Sequence, residues 1–195
     1  MRCSEINRVT NETSISICLE IDGKGKSSID TGCPFLDHML TLFACHGRFN
    51  LNIKCQGDTE VDYHHTVEDV GIVLGQAFNN AVGNKKGIKR YGDIILPMDE
   101  SLILVAIDIS NRTYLNYQVE GLKDKVGDFD SELIEEFFFA FTRSFPLTLH
   151  IKKLKGKNTH HILEAIFKAF ARSLKEALTL DPEYIDEIPS SKGML

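Results

Sequence analysis

The two halves of this 195-residue chain carry the same motifs in the same order, and this repeat constrains the fold more than any other feature of the sequence. The segment 64–68 reads His-His-Thr-Val-Glu, and the segment 160–164 reads His-His-Ile-Leu-Glu. Shorter matches precede both segments at nearly constant spacing. A duplicated half-domain of about 90 residues explains the pattern. We therefore expect a single unit made of two pseudo-symmetric halves, about 1–88 and 89–195.

Each half is predicted to be an α+β unit of strands and two helices, because the hydrophobic periodicity changes in the same order in both. The segments 12–21 and 100–109 are rich in β-branched residues and are predicted strands. The segment 22–25, Asp-Gly-Lys-Gly, is typical of a hairpin-like turn. Apolar residues recur at helical spacing before and after each His-His pair. We expect an α+β fold in which two helix pairs cover the strands of a duplicated sheet.

The two His-His-x-x-Glu motifs are candidate metal sites. Residues four apart on a helix are neighbours, so His64 lies beside Glu68 and His160 beside Glu164. The second histidine of each motif faces another direction, and each motif therefore offers ligands to two ions. A single copy could equally be a solvated helix start, but two copies favour metal binding. The six candidate ligands are His64, His65, Glu68, His160, His161 and Glu164.

Two further positions, related by the repeat, extend the candidate ligand set. His38 and its repeat partner Glu136 both lie in apolar helical stretches upstream of the motifs. His150 competes with Glu136 for the last ligand position, although its repeat partner is an asparagine. Asp62 and Asp69 flank the first motif and could accept hydrogen bonds from its imidazoles, while Asp69 could equally be a surface charge.

The donor types indicate which ions such a site would bind. Imidazole with carboxylate suits Mn²⁺, Fe²⁺, Zn²⁺ or Ni²⁺, and the absence of cysteine from the motifs argues against a tetrahedral thiolate zinc site. Basic and hydroxyl residues elsewhere indicate an anionic substrate. Lys168 continues the polar face of the second motif, Arg90 and Arg112 bound strands, and the tail 190–193 could wrap a phosphate.

Charge and hydropathy exclude several classes of function. The formal net charge of −6, with scattered Lys and Arg, argues against a nucleic-acid surface. The longest apolar runs are far shorter than the roughly 18 residues of a membrane helix, so no membrane association is expected. The start of the chain lacks the apolar region of a secretory signal, and the five cysteines are odd in number and lack zinc spacing. A cytoplasmic location with reduced thiols is the expectation.

Four segments of the chain resemble a known family. They are the runs 37–40, 62–69, 156–165 and 189–193, whose sequences are Asp-His-Met-Leu, Asp-Tyr-His-His-Thr-Val-Glu-Asp, Gly-Lys-Asn-Thr-His-His-Ile-Leu-Glu-Ala and Pro-Ser-Ser-Lys-Gly. Together they are similar to the corresponding segments of imidazoleglycerol-phosphate dehydratases of histidine biosynthesis. The resemblance covers nearly the whole chain.

The resemblance implies a reaction, a fold, a metal cofactor and an oligomeric assembly. The expected reaction is a metal-dependent hydro-lyase reaction (EC 4.2.1.19), the dehydration of D-erythro-imidazole-glycerol phosphate to imidazole-acetol phosphate. The resemblance also implies a ribosomal protein S5 domain 2-like fold, two Mn²⁺ ions per active site, and self-association into a 24-mer with sites at subunit interfaces. By position, Glu12 resembles the family's acid/base glutamate. The expected substrate-binding residues are His46, Arg90, Arg112, Lys168, Ser190, Ser191 and Lys192.

One position departs from the pattern of many family members, which carry histidine where this chain has Glu136. The type of that ligand is therefore left open between Glu136 and His150. Two other classes of function use similar residues. A dinuclear phosphoesterase normally needs a carboxylate that bridges two ions, and the repeat offers no obvious one. A non-catalytic metal-binding protein would not need the basic and hydroxyl residues.

Overall fold

The computed structural model describes residues 2–195, and within them each half of the chain contributes one four-stranded sheet and two helices. The first half contains β1 (Cys3–Val9), β2 (Thr13–Glu20), β3 (Ser27–Asp30), α1 (Pro34–Gly47), β4 (Asn50–Gly57) and α2 (His64–Val82). The second half contains β5 (Tyr91–Met98), β6 (Ser101–Asp108), β7 (Tyr114–Gln118), β8 (Lys125–Val126), β9 (Phe129–Asp130), α3 (Leu133–Ser144), β10 (Thr148–Lys155) and α4 (Thr159–Leu178).

The two sheets have the same topology, which confirms the predicted duplicated α+β fold. Their strand orders are β1-β2-β4-β3 and β5-β6-β10-β7. In each sheet the first two pairings are antiparallel and the last is parallel. The short ribbon β8–β9 is an addition of the second half and lies between β7 and α3.

The helices lie between the two sheets and join them through one hydrophobic core. Helix α2 packs on β1, β2 and β4 and also on α3, while α4 packs on β5 and β6 and also on α1. Strand β2 alternates buried and exposed residues, as a strand with one face on a core must. Phenylalanines fill the centre: Phe138 and Phe170 lie 5.1 Å apart and Phe43 and Phe170 lie 5.5 Å apart, measured between ring centroids. Burial of each ring contributes about 1.5–3 kcal/mol.

The turn at 22–25 is not a hairpin, so that prediction was wrong. Strand β3 pairs in parallel with β4, and β2 lies on the other side of β4. The side-chain oxygen of Asn50 accepts hydrogen bonds from the backbone N–H groups of Lys24 and Lys26, which holds the segment across the start of β4. Gly23 is needed there because a Cβ would lie 2.4 Å from the backbone nitrogen of Asn50.

Sequence periodicity also did not predict the edge strands β1 and β5. Both carry exposed residues on one face and half-buried ones on most of the other, so their pattern is weaker than that of β2. Among residues 2–195, none of the helices combines the length and the apolar character that crossing a bilayer would demand.

Candidate active site

The two His-His-x-x-Glu motifs begin the two longest helices, and equivalent side chains fix where these helices start. The Asp62 carboxylate accepts a hydrogen bond of 2.7 Å from the backbone N–H of His64. The Asn158 side-chain oxygen accepts one of 3.0 Å from the backbone N–H of His160 and one of 3.4 Å from that of His161. Asp62 thus acts on the backbone and not on an imidazole. Both side chains satisfy N–H groups at the start of a helix, Asn158 as the N-cap of α4 and Asp62 from the residue before the N-cap of α2.

The structure gathers three of the candidate ligands into one cluster. His38 Nε2 on α1 and His160 Nε2 on α4 lie 3.5 Å and 3.3 Å from Glu164 Oε2. The three ligand atoms all fall within 4.8 Å of one another. Two imidazoles and a carboxylate at this spacing fit a divalent ion of the first transition row, and Phe35 packs edge-on against the His160 ring.

Glu164 is kept ionised by its surroundings. Burial alone would raise the pKa of this carboxyl group, whose side chain is only 12% exposed, but the hydrogen bond and charge of Lys168 together with His38 lower the pKa below its ordinary value. Lys168 Nζ lies 2.5 Å from Glu164 Oε1, on the next turn of the same helix. The site therefore combines an ionised candidate metal ligand with an adjacent ammonium group.

The second histidine of each motif contacts a carboxylate that sequence reasoning missed as its partner. His161 Nδ1 lies 2.8 Å from Glu100, and His65 Nδ1 lies 2.9 Å from Asp58. These hydrogen bonds raise the pKa of both imidazoles, and the bond from His161 helps lower the pKa of Glu100 to about 2. Glu12, the candidate proton carrier, lies with its Oε1 3.7 Å from the other nitrogen of His65. Glu100 could have been found from the sequence, because it stands at the start of a predicted strand, as Glu12 does.

Within the described residues, the pseudo-symmetric set His64, Glu68 and Glu136 does not form a compact cluster like that of His38, His160 and Glu164. Glu68 Oε1 accepts a hydrogen bond of 3.1 Å from Arg143. Glu136 is half-buried on α3 and belongs to no group of three close ligand atoms in residues 2–195. His150 lies on β10, with its Nδ1 3.1 Å from the side-chain nitrogen of Asn116.

Asp69 fulfils neither of the roles considered for it. It is buried, so it is not a surface charge, and its partners are not imidazoles. One carboxylate oxygen accepts a hydrogen bond of 2.5 Å from Thr13 Oγ1 and lies 2.6 Å from Arg8 Nη1. These contacts of the buried Asp69 join α2 to the first two strands at the turn that carries Glu12.

Five predicted substrate-binding residues line a single cavity. Its volume is about 540 Å³, and its lining is Arg90, Ser110, Arg112, Ser190, Ser191, Lys192, Met194 and Leu195. The Arg90 guanidinium lies 2.6 Å from one oxygen of Asp108 and donates a 2.8 Å hydrogen bond to the backbone oxygen of Pro189. Arg112 also reaches Asp108, at 3.4 Å. Arg90 thereby attaches the carboxyl-terminal tail to the sheet, and the cavity offers several donors to an anion.

Of the other two predicted substrate residues, Lys168 lies beside Glu164 and His46 lies in a different cavity. His46 lies near the end of α1 beside Arg48, Arg172 and Lys175, in a space of about 390 Å³. Burial lowers the pKa of His46, and the charges of Lys168 and Arg172 lower it further. The structure therefore separates His46 from the predicted substrate residues that line the cavity at the carboxyl-terminal tail, called the tail cavity below.

A third cavity, of about 370 Å³, adjoins the cluster of His38, His160 and Glu164. It is lined by His38 and His160 together with apolar side chains such as Phe35, Tyr63 and Phe129. Phe129 of β9 packs 4.9 Å from Phe35, so the ribbon of the second half covers a face of the first. In residues 2–195 this cavity and the tail cavity share no lining residue.

Comparison with known proteins decides the family. The family model described as imidazoleglycerol-phosphate dehydratase matches residues 31–174. The chain belongs to the imidazoleglycerol-phosphate dehydratase family. It is accordingly a hydro-lyase (EC 4.2.1.19) of histidine biosynthesis in a metal-dependent family.

Relatives match the chain over its whole length. The imidazoleglycerol-phosphate dehydratase of Oceanobacillus iheyensis is 55% identical over 195 residues, which is 100% of both chains. The crystal structure of the Staphylococcus aureus imidazoleglycerol-phosphate dehydratase has a TM-score of 0.84 and 46% identity, and the match covers 92% of this chain and 99% of that one. For the Pyrococcus furiosus structure the TM-score is 0.85 and the identity 38%, with 97% and 100% covered.

Proposed function

We propose that this chain dehydrates D-erythro-imidazole-glycerol phosphate to imidazole-acetol phosphate, with two Mn²⁺ ions in each active site. The observation that carries this proposal is the cluster of His38, His160 and Glu164, which joins ligands from both halves within 4.8 Å. Family membership supports the same reaction. A mixed set of imidazole and carboxylate donors accommodates Mn²⁺ among other divalent ions of the first transition row.

The repeat divides the proposed ligands between two ions. Each ion takes a histidine and a glutamate from one motif, the second histidine of the other motif, and one residue from the helix that precedes a motif. The proposed set of one ion is His160, Glu164, His65 and His38, and that of the other is His64, Glu68, His161 and Glu136. The contacts of Glu164 with His38 and His160 support the first set.

The metal ions would act as Lewis acids that lower the free-energy cost of negative charge on the imidazole of the substrate. Side chains of the protein transfer the proton and contact the substrate. Glu12 carries the proton between the substrate carbon and solvent, a role supported by its exposed carboxylate beside His65. Lys168 holds Glu164 ionised and offers an ammonium group to the substrate.

The basic tail cavity is proposed to bind the phosphate of the substrate. Arg90 and Arg112 lie near one another because both contact Asp108, at 2.6 Å and 3.4 Å. Ser190, Ser191 and Lys192 add hydroxyl and ammonium donors on the same cavity. His46 is proposed as a further substrate contact.

The separation of the two cavities on one chain supports active sites completed by another subunit. We propose that copies of the chain assemble as a 24-mer with active sites at subunit interfaces, in the cytoplasm. Within each copy, the halves 1–88 and 89–195 form one catalytic unit, supported by the core that both sheets share.

One experiment tests the function directly. Loss of imidazoleglycerol phosphate is measured on metal-depleted protein before and after addition of Mn²⁺, together with release of inorganic phosphate. Mn²⁺-dependent dehydration without phosphate release is expected. Phosphate release would indicate a phosphoesterase, and Mn²⁺ binding without either reaction would indicate a metal-binding protein.

A further inference from the structure

The duplication places a glutamate at the same point in both halves. Glu12 lies in the turn between β1 and β2, and Glu100 lies in the turn between β5 and β6. Each immediately precedes the second strand of its sheet, and the two sheets have the same strand order. Each glutamate also lies beside the second histidine of a motif, which is His65 for Glu12 and His161 for Glu100.

Both carboxylate oxygens of Glu100 have hydrogen-bond partners. Its Oε2 lies 2.8 Å from His161 Nδ1. Its Oε1 accepts hydrogen bonds from the backbone N–H groups of Asn158, at 2.8 Å, and Lys157, at 3.2 Å. The carboxylate therefore ties the ring of His161 to the loop that precedes α4.

Glu12 has no such contacts with its histidine. Its Oε1 lies 3.7 Å from Nε2 of His65, on the opposite edge of the ring from Nδ1, and its side chain is 52% exposed. The position that Glu100 occupies in the second half is taken in the first half by Asp58, whose Oδ2 lies 2.9 Å from His65 Nδ1. Equivalent glutamates thus face opposite edges of equivalent imidazoles.

The loops that precede the two motifs differ in length and in sequence. Six residues separate Gly57 from His64, whereas three separate Gly156 from His160. Asp58 directly follows Gly57, where the second half has Lys157 after Gly156, and the backbone N–H of Asp58 donates a 3.1 Å hydrogen bond to the backbone oxygen of Glu12. The aspartate therefore both contacts the His65 ring and fixes the turn that carries Glu12.

We propose that Asp58 and Glu100 have the same role, which is to position the imidazoles of His65 and His161. Because Asp58 has this role in the first half, Glu12 is free to move protons. This inference rests on the proposed metal-dependent dehydration. A carboxylate that accepts from Nδ1–H fixes the tautomer and the ring orientation, and presents Nε2 to a metal ion. Duplicated glutamates have in this way acquired different roles, one in positioning a ligand and one in proton transfer.

The test compares single variants of the full-length protein by two measurements. Mn²⁺ affinity is measured from the electron paramagnetic resonance signal of free Mn²⁺, and turnover is measured at saturating Mn²⁺. Asp58→Asn and Glu100→Gln are expected to weaken Mn²⁺ binding about 10- to 100-fold while keeping most of the turnover once Mn²⁺ saturates. Glu12→Gln is expected to keep Mn²⁺ affinity and to lose turnover on the order of 10²- to 10⁴-fold at any Mn²⁺ concentration.

Controls separate positioning from general damage to the fold. Glu5→Gln alters an exposed carboxylate of β1 and should change neither measurement. Asp58→Glu and Glu100→Asp retain a carboxylate and should bind Mn²⁺ more tightly than the corresponding amides. If Asp58→Asn does not fold, Asp58→Ser removes the carboxylate from the same loop and gives the same comparison.

A double variant gives the sharpest outcome. If Glu12 has no positioning role, Asp58→Asn with Glu12→Gln binds Mn²⁺ as weakly as Asp58→Asn alone. A further loss of affinity in the double variant, or unchanged affinity in Asp58→Asn or Glu100→Gln, would overturn the inference. Wild-type protein that neither binds Mn²⁺ nor dehydrates the substrate would instead refute the proposed function.

Discussion

His38 Nε2 of the first half lies 3.5 Å from Glu164 Oε2 of the second half. Helix α1 packs on α4, so the contact follows from the way the halves join. A metal ion held by both residues would bind the native protein and not the unfolded chain, because the ligands come together only when α1 packs on α4. Metal binding and folding are therefore expected to be coupled.

His160→Ala should lower the number of bound Mn²⁺ ions and abolish dehydration, since the cluster would lose one of its two imidazoles. Metal content after gel filtration and turnover in the same sample measure both effects. The control is Lys86→Ala, which changes an exposed side chain outside the proposed site. Full activity of His160→Ala would contradict the ligand assignment.

Glu136→Ala should release one of the two ions selectively, whereas His150→Ala should retain both. The reason is that Glu136 occupies the repeat position of His38, while His150 is already hydrogen-bonded to Asn116 on a strand. Metal content by mass spectrometry distinguishes the variants. The opposite result would assign the last ligand position to His150.

Arg112→Ala should raise KM for the phosphate substrate on the order of tenfold to a hundredfold, because a charge-assisted contact with the anion would be lost. Turnover at saturating substrate should change less. Steady-state kinetics measure the two parameters separately, with Lys86→Ala as the matched loss of one exposed positive charge. An unchanged KM would exclude Arg112 from phosphate binding.

Asp22→Asn should destabilise the protein by up to about 1 kcal/mol at neutral pH, because this partly exposed carboxylate accepts two hydrogen bonds from Arg2. These bonds lower the pKa of Asp22. The ion pair therefore stabilises the fold above the ordinary pKa of an aspartate, near 4, and its contribution is lost as the pH falls through the lowered value. Urea unfolding at several pH values should show the variant and the wild type converging in acid. A difference that grows in acid would contradict the sign.

Much of the architecture was predictable from the sequence because the relevant signals are local or repeated. The helices that begin at the two His-His pairs follow from apolar residues spaced to bury one helical face, and β2 and β6 follow from alternation of period two. The duplication follows from comparing the chain with itself. The pairing of His160 with Glu164 needs only the helical repeat.

The tertiary structure decided which of these repeated parts meet. It placed His38 against the second motif and buried Asp69 against Arg8. It also paired His65 with Asp58 and His161 with Glu100 through side-chain hydrogen bonds. It also laid β3 along β4 where the sequence indicated a hairpin. The sequence determines which local segments form helices or strands and which face of each is apolar, because these properties depend on backbone geometry and on neighbours a few residues away. Contacts between distant segments depend on how whole faces pack, and the two halves differ there through loop lengths and single substitutions that a repeat pattern does not reveal.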